Sequence, residues 1–180
     1  MKPITGETVS SEIMQCIGAF RQLEKAYIIS YRMQDAEFSD QVFFSRLISR
    51  QTLYGAKITL MTTPPEGKGQ SFKDKLKLLD YLERQGVDIY LNEKLHAKAY
   101  LFLDDRKINT SIIGSANLTY SGFGLKESIH ENLLELALIT RDPSLYEETL
   151  SLIQKKFIDH QLTIDFSRWK NLIYRKYGLV

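Results

Sequence analysis

Between Leu95 and Thr119 the chain reads LHAKAYLFLDDRKINTSIIGSANLT, an apolar run, a polar turn and a second apolar run that ends in Gly114-Ser115-Ala116-Asn117. Two such runs split by a turn predict adjacent antiparallel strands, here at 96–103 and 111–117. Side chains two apart on a strand share a face, so His96 and Lys98 would project together, and the return strand repeats the step with Ser115 and Asn117. An imidazole can attack phosphorus and carry protons near neutral pH. A lysine with two neutral donors can hold the oxygens of a phosphodiester. The hairpin therefore delivers the groups that phosphoryl transfer needs to one place.

The rest of the chain alternates helical and strand patterns around this hairpin. MKPITGE reads as a frayed or extended lead-in. Val9, Ile13, Met14, Ile17 and Phe20 keep helical spacing to about Glu24. Ala26–Ser30 reads as a buried strand with Tyr31-Arg32 at its exit. Ser39 or Asp40 would cap a second helix running through Phe43, Leu47 and Ile48 to near Arg50, closed by Gly55. Lys57–Met61 is the next strand, and the loop from Thr62 to Gln70 leaves its carboxyl end, the usual place for a site in an open α/β sheet. Lys68, between two glycines in that loop, is a candidate phosphate contact.

Ser71-x-x-Asp74 resembles a capping box opening a helix with Phe72, Leu76, Leu79 and Leu82 on one face, ended by Gly86. Val87–Leu91 and, after the hairpin, Leu134–Thr140 are strands. Asp142-Pro143 is a strong helix start, and that helix runs to about Asp159. A link, HQLTIDF, leads to a basic amphipathic helix over Ser167–Lys176. The fold class expected is α/β, a mixed β-sheet flanked by helices on both faces. One domain over residues 1–160 would carry the terminal basic helix, 161–180, packed on it or extending it.

His96-x-Lys98, followed by Asp104 or Asp105 and then Gly114-Ser115-x-Asn117, resembles the half-site of the phospholipase D superfamily. HAKAYLF and GSANLT-x-SG look most like its single-copy nuclease branch, which includes NgoFVII-type restriction endonucleases and helicase-associated nuclease domains. Five residues separate Lys98 from Asp104, where the family pattern has four, so Asp104 and Asp105 read as residues of the turn. The resemblance implies that His96 attacks phosphorus to form a phosphohistidine, which water then hydrolyses. It also implies that a second motif histidine protonates the leaving oxygen. Lys98, Asn117 and Ser115 would hold the phosphate oxygens. Glu135, at the start of the following strand, would orient His96, with Glu131 as its competitor.

The chain has three histidines, and His130 and His160 lie in no such motif. Two motif histidines are required and one is present, so a homodimer with a composite site is expected. With a single cysteine, Cys16, and no carboxylate–histidine cluster at ligand spacing, no metal and no cofactor is expected. No apolar run approaches the roughly 20 residues that span a bilayer, and the N-terminus lacks a signal-peptide pattern. The reading is a cytoplasmic protein without a membrane partner. A net charge of +2 gives no general affinity for polyanions. Nucleic acid, DNA in particular, is favoured by the family branch and by the tail, where Arg168, Lys170, Arg175 and Lys176 could meet phosphates while Trp169 packs inward. Sequence recognition would need a separate domain or a helicase partner. The competing readings are a phospholipase D-type lipid hydrolase and a silent nucleic-acid-binding module.

Overall fold

The computed structural model describes residues 2–19, 23–33, 42–67, 69–117 and 136–177. Its strands are β1 (Lys2–Thr5), β2 (Leu23–Ser30), β3 (Lys57–Thr62), β4 (Asp88–Asn92), β5 (Lys98–Asp104), β6 (Asn109–Gly114), β7 (Leu136–Thr140) and β8 (Thr163–Asp165). They form one mixed sheet in the order β1-β7-β6-β5-β2-β3-β4-β8. The helices are α1 (Gly6–Ala19), α2 (Val42–Tyr54), α3 (Gln70–Arg84), α4 (Pro143–Ile153) and α5 (Phe166–Tyr177). A π-turn over Gln154–Ile158 extends α4.

β2, β3 and β4 are parallel, linked through α2 and α3, whereas β5, β6, β7 and β1 form an antiparallel series. The seam between the halves is β2 against β5, antiparallel, with Ser30 opposite Lys98. Strand alternation divides the core in two. On one face Tyr100 and Phe102 pack with Ile13 and Ile17 of α1, Leu47 of α2, Leu79 and Leu82 of α3 and Phe166 of α5. On the other, Ala99 and Leu101 pack with Tyr146 and Ile153 of α4. Helices thus cover both faces, as the alternating pattern predicts.

Several boundaries differ from the sequence reading, for physical reasons. The lead-in is strand β1, a short edge strand paired with β7, with too few residues to show a period. Glu24, expected to end the first helix, lies in β2. The link after α4 contains β8, which pairs with β4 and covers that edge. Ser71 does not cap α3. Gly69 occupies the cap position without a side-chain bond, at φ 102, and Asp74 accepts instead from Gln70 Nε2. Asp142 does cap α4, accepting from the Ser144 and Leu145 amides at 2.9 and 3.4 Å. Asp165 does the same for α5 through the Ser167 amide at 2.9 Å. Ser39, Asp40, Leu134 and Glu135 lie outside the described residues.

Candidate active site

The carboxyl ends of β2 and β3, the start of β5 and the end of β6 meet at one end of the sheet. The crossing from β4 to β5 explains why His96 sits there. Those strands are three steps apart in the sheet, about 14 Å, and the chain spans the gap in six residue steps, about 20 Å when extended. It must run almost directly over the ends of β3 and β2. Asn92 starts the crossing: its side-chain oxygen accepts from the Lys94 amide at 2.9 Å, and its carbonyl accepts from the Leu95 amide at 3.1 Å. Buried Leu95 then anchors the segment, which leaves His96 exposed above the exit of β2.

That exit carries Tyr31, and the site is assembled on its ring. The His96 imidazole lies against it at 5.0 Å between ring centroids, tilted 37°. Lys98 Nζ and Arg32 Cζ each lie 5.4 Å from its centre, distances at which a ring face attracts a cation. Strand β5 begins at Lys98 rather than at His96, so simple alternation within a strand does not place the pair. Shared contact with Tyr31 does, and both line the same groove.

The return strand is tied to this cluster from the other side. Asn117 accepts from the Arg32 amide at 3.0 Å through Oδ1, which leaves its NH₂ group as the donor end. The Ser115 hydroxyl accepts from the Leu136 amide at 3.1 Å and lines the groove with His96 and Lys98. Gly114 is required by close approach. A Cβ there would stand 2.4 Å from the Leu136 carbonyl oxygen and 2.5 Å from Ala137 Cα, backbone atoms that cannot give way. Gly114→Ala should therefore force β6 and β7 apart at this point. We expect a destabilisation of about 2–4 kcal/mol in urea melts and a loss of activity beyond what the lower folded fraction explains.

A groove of about 520 Å³ opens beside the cluster, lined by His96, Lys98, Ser115, Ile113, Leu152 and Phe157 among others, and its walls are mostly apolar. A second cleft of about 300 Å³, lined by Tyr31, lies between Arg32, Thr63, Pro64, Glu66, Ser71 and Lys75. Lys75 shares the helical stripe of Leu78, Leu79 and Leu82 and donates to Thr63 Oγ1 at 3.0 Å. Burial lowers its ammonium to about 8.

This lysine carries a stability cost with a defined pH window. The unfolded chain keeps the proton up to about 10.5, so between 8 and 10.5 it binds more protons than the folded chain, and stability rises with pH there. Lys75→Met is expected to stabilise the fold at pH 7 by about 3 kcal/mol. Paired melts of the two proteins should converge as pH approaches 10.5.

Other residues singled out from the sequence fall elsewhere. Asp104 is fully buried at the far end of β5, six residues or about 20 Å from Lys98. It accepts from the Ile108 amide at 2.8 Å and pairs with Arg106, so it closes the hairpin turn. Lys170 is not free for a phosphate: its ammonium bonds Asp80 at 2.8 Å and also Glu83. Arg168 and Arg175 are exposed on α5, which follows β8, four strands or about 19 Å across the sheet from β5. The fold does not bring them to the cluster. Lys68 and Glu135, with Glu131, lie outside the described residues, as does the Lys176 side chain.

Tyr31, Arg32 and Lys75 carried no assigned role in the sequence reading. The first two had a usable signal, since they directly follow a buried parallel strand. Lys75 had one as well, a lysine at an apolar-stripe position. Among the described residues no group of three His, Cys, Asp or Glu side chains is placed to hold a metal ion, and no helix is long and apolar enough to cross a membrane.

Comparison with known proteins agrees with this fold. Residues 19–160 match the family model described as cardiolipin synthase, PLD-like domain. Phosphatidylserine synthase from Haemophilus influenzae superposes with a TM-score of 0.68 at 10% identity, over 90% of this chain but 37% of the synthase. NucT from Helicobacter pylori superposes at 0.61 with 17% identity, over 92% of this chain and 98% of NucT. Polyphosphate kinase from Porphyromonas gingivalis gives 0.62 at 16% identity, covering 85% of this chain and 25% of the kinase. These likenesses establish the fold. No curated protein matches the sequence.

Proposed function

The chain belongs to the PLD-like domain family, and from that premise we propose that it is a metal-independent phosphodiesterase acting on nucleic acid, DNA first, through a phosphohistidine at His96. The observation that carries the reading is the convergence of His96 and Lys98 on one tyrosine ring, with Asn117 bonded to the adjoining residue. An imidazole nitrogen of His96 donates its lone pair to phosphorus while the bond to the leaving oxygen breaks. Lys98 and the Asn117 amide stabilise the charge gathered on the other phosphate oxygens. The leaving oxygen takes a proton from His96 of a second copy. That imidazole then removes a proton from water, whose oxygen displaces His96 and leaves a phosphomonoester.

Homodimerisation is supported by chemistry and by surface. One motif imidazole per chain cannot be both nucleophile and acid in a single step. Leu138 and Ile113, opposite each other on β7 and β6, remain exposed with Leu136 and Leu152 beside the site. A second copy would cover this strip. Glu135 is the residue proposed to orient His96. NucT, of nearly the same length, shares this fold, which supports the nuclease assignment. A role within a restriction-type or helicase-linked system, in which another domain reads sequence, fits the same site.

The lipid alternative is favoured by the apolar groove running up to His96 and Lys98, which has room for part of an acyl chain, and by the likeness to the cardiolipin synthase model and to phosphatidylserine synthase. Incubation with plasmid DNA and with phosphatidylcholine or phosphatidylglycerol vesicles separates the two. Cleavage of DNA should persist in EDTA, because Lys98 serves where a cation otherwise would. Complete loss in EDTA, restored by a divalent ion, would overturn the metal-independent mechanism.

A further inference from the structure

We propose that the cleft between the exits of β2 and β3 and helix α3, lined by Arg32, Thr63, Ser71 and Lys75, is a second anion subsite that takes the phosphate adjacent to the scissile one in a nucleic-acid strand. This rests on the nuclease reading for its occupant, though not for its chemistry. Tyr31 is the wall shared with the catalytic cluster: His96 and Lys98 lie against its ring, and it lines this cleft too. A strand whose scissile phosphate sits at His96 therefore has this cleft as its next polar stop.

The cleft is built for an anion rather than for solvent. Lys75 reaches in from an otherwise apolar stripe of α3 and bonds a neutral hydroxyl, Thr63 Oγ1. That hydroxyl donates in turn to the Tyr31 carbonyl at 3.1 Å, so the ammonium is held toward the β2 exit. Among the described residues no carboxylate lies within ion-pair distance of it. Glu66 is the nearby acid; it lines the cleft and is exposed. Arg32, extended over Tyr31, supplies a second cation. A half-buried ammonium with no carboxylate in ion-pair contact is held below its ordinary range, and a bound phosphate would reverse that cost.

The test uses the full chain with His96→Ala as parent, so that no ligand is consumed. Inorganic phosphate is titrated while the backbone amide resonances of Thr63 and Ser71 are followed. Dithymidylate, with one phosphate, and trithymidylate, with two, are then compared by calorimetry. The parent is expected to show phosphate-dependent shifts, and to bind trithymidylate about tenfold more tightly than dithymidylate, the scale of one charge-assisted contact. Lys75→Gln should lose both effects and Lys75→Arg should keep them, with the amide spectrum reporting that each variant is folded.

Shifts unchanged in Lys75→Gln would overturn the subsite. Shifts in the parent without a trithymidylate gain would overturn the strand assignment and leave an isolated phosphate, such as a lipid headgroup, as the occupant. Failure of the His96 protein to cleave DNA, with both binding results intact, would count against the nuclease reading and leave the subsite standing.

Discussion

Alanine in place of His96 is expected to reduce phosphodiester cleavage by roughly 10⁴-fold or more, to background. The size follows from the role: without the imidazole no covalent intermediate forms, and in a two-fold dimer the substitution removes the proton donor as well. Stability should hardly change, because the ring is exposed and its contact is the Tyr31 face rather than the core. Unchanged melting with lost turnover therefore separates chemistry from folding. Rapid quenching of the unsubstituted protein in alkali, with substrate labelled at the scissile phosphorus, should trap label on histidine. The His96→Ala protein should trap none. A variant that still cleaves, or label found on another residue, would remove His96 from the centre of the mechanism. Lys98→Ala should fall almost as far, since it removes the cation assigned to the scissile phosphate.

The sequence was most informative where a local rule and a tertiary demand agree. Asp142-Pro143 names a helix start by its own chemistry, and α4 begins there. The apolar run of β5 stands in the middle of the sheet because a strand buried on both faces needs uninterrupted apolar side chains. β1 and β8 were not legible, being strands of four and three residues at opposite edges whose pairing comes wholly from their neighbours. Lys170 misled in the opposite direction. Basic residues on an amphipathic helix look alike in sequence, yet only the packing of α5 against α3 places this one between Asp80 and Glu83.

The site shows the same division. His96, Lys98, Ser115 and Asn117 are marked by their spacing, and the start of β5, the crossing that leads to it and the exit of β6 bring them to one end of the sheet. Tyr31 is marked in the sequence only by its place at the exit of a buried strand, because its importance is positional. It is where the chain leaving β4 must pass on its way to β5. Gly114 was legible as part of a pattern, but the cause lies in the pressure of Leu136 and Ala137 on it, which no local rule contains.

Mixing subunits gives the second large effect and addresses the dimer directly. Unsubstituted chain and His96→Ala chain, co-refolded in equal amounts, should distribute at random, so that about a quarter of the dimers carry two imidazoles. If each subunit held a complete site, activity would fall to about half. In a shared site a heterodimer keeps the nucleophile or the acid but not both. Loss of general acid help alone costs roughly 10²–10⁴, so heterodimers contribute nothing measurable, and total activity should follow the square of the unsubstituted fraction, about a quarter at equal mixing. Titrating the fraction from all to none distinguishes a parabola from a line without any assumption about rate constants. A line, with exchange of subunits verified by differently tagged chains, would show that one chain suffices. The single imidazole would then have to find its acid elsewhere in its own subunit, where the remaining histidines are His130 and His160. The leaving proton would have to be reassigned before any other step of the mechanism could stand.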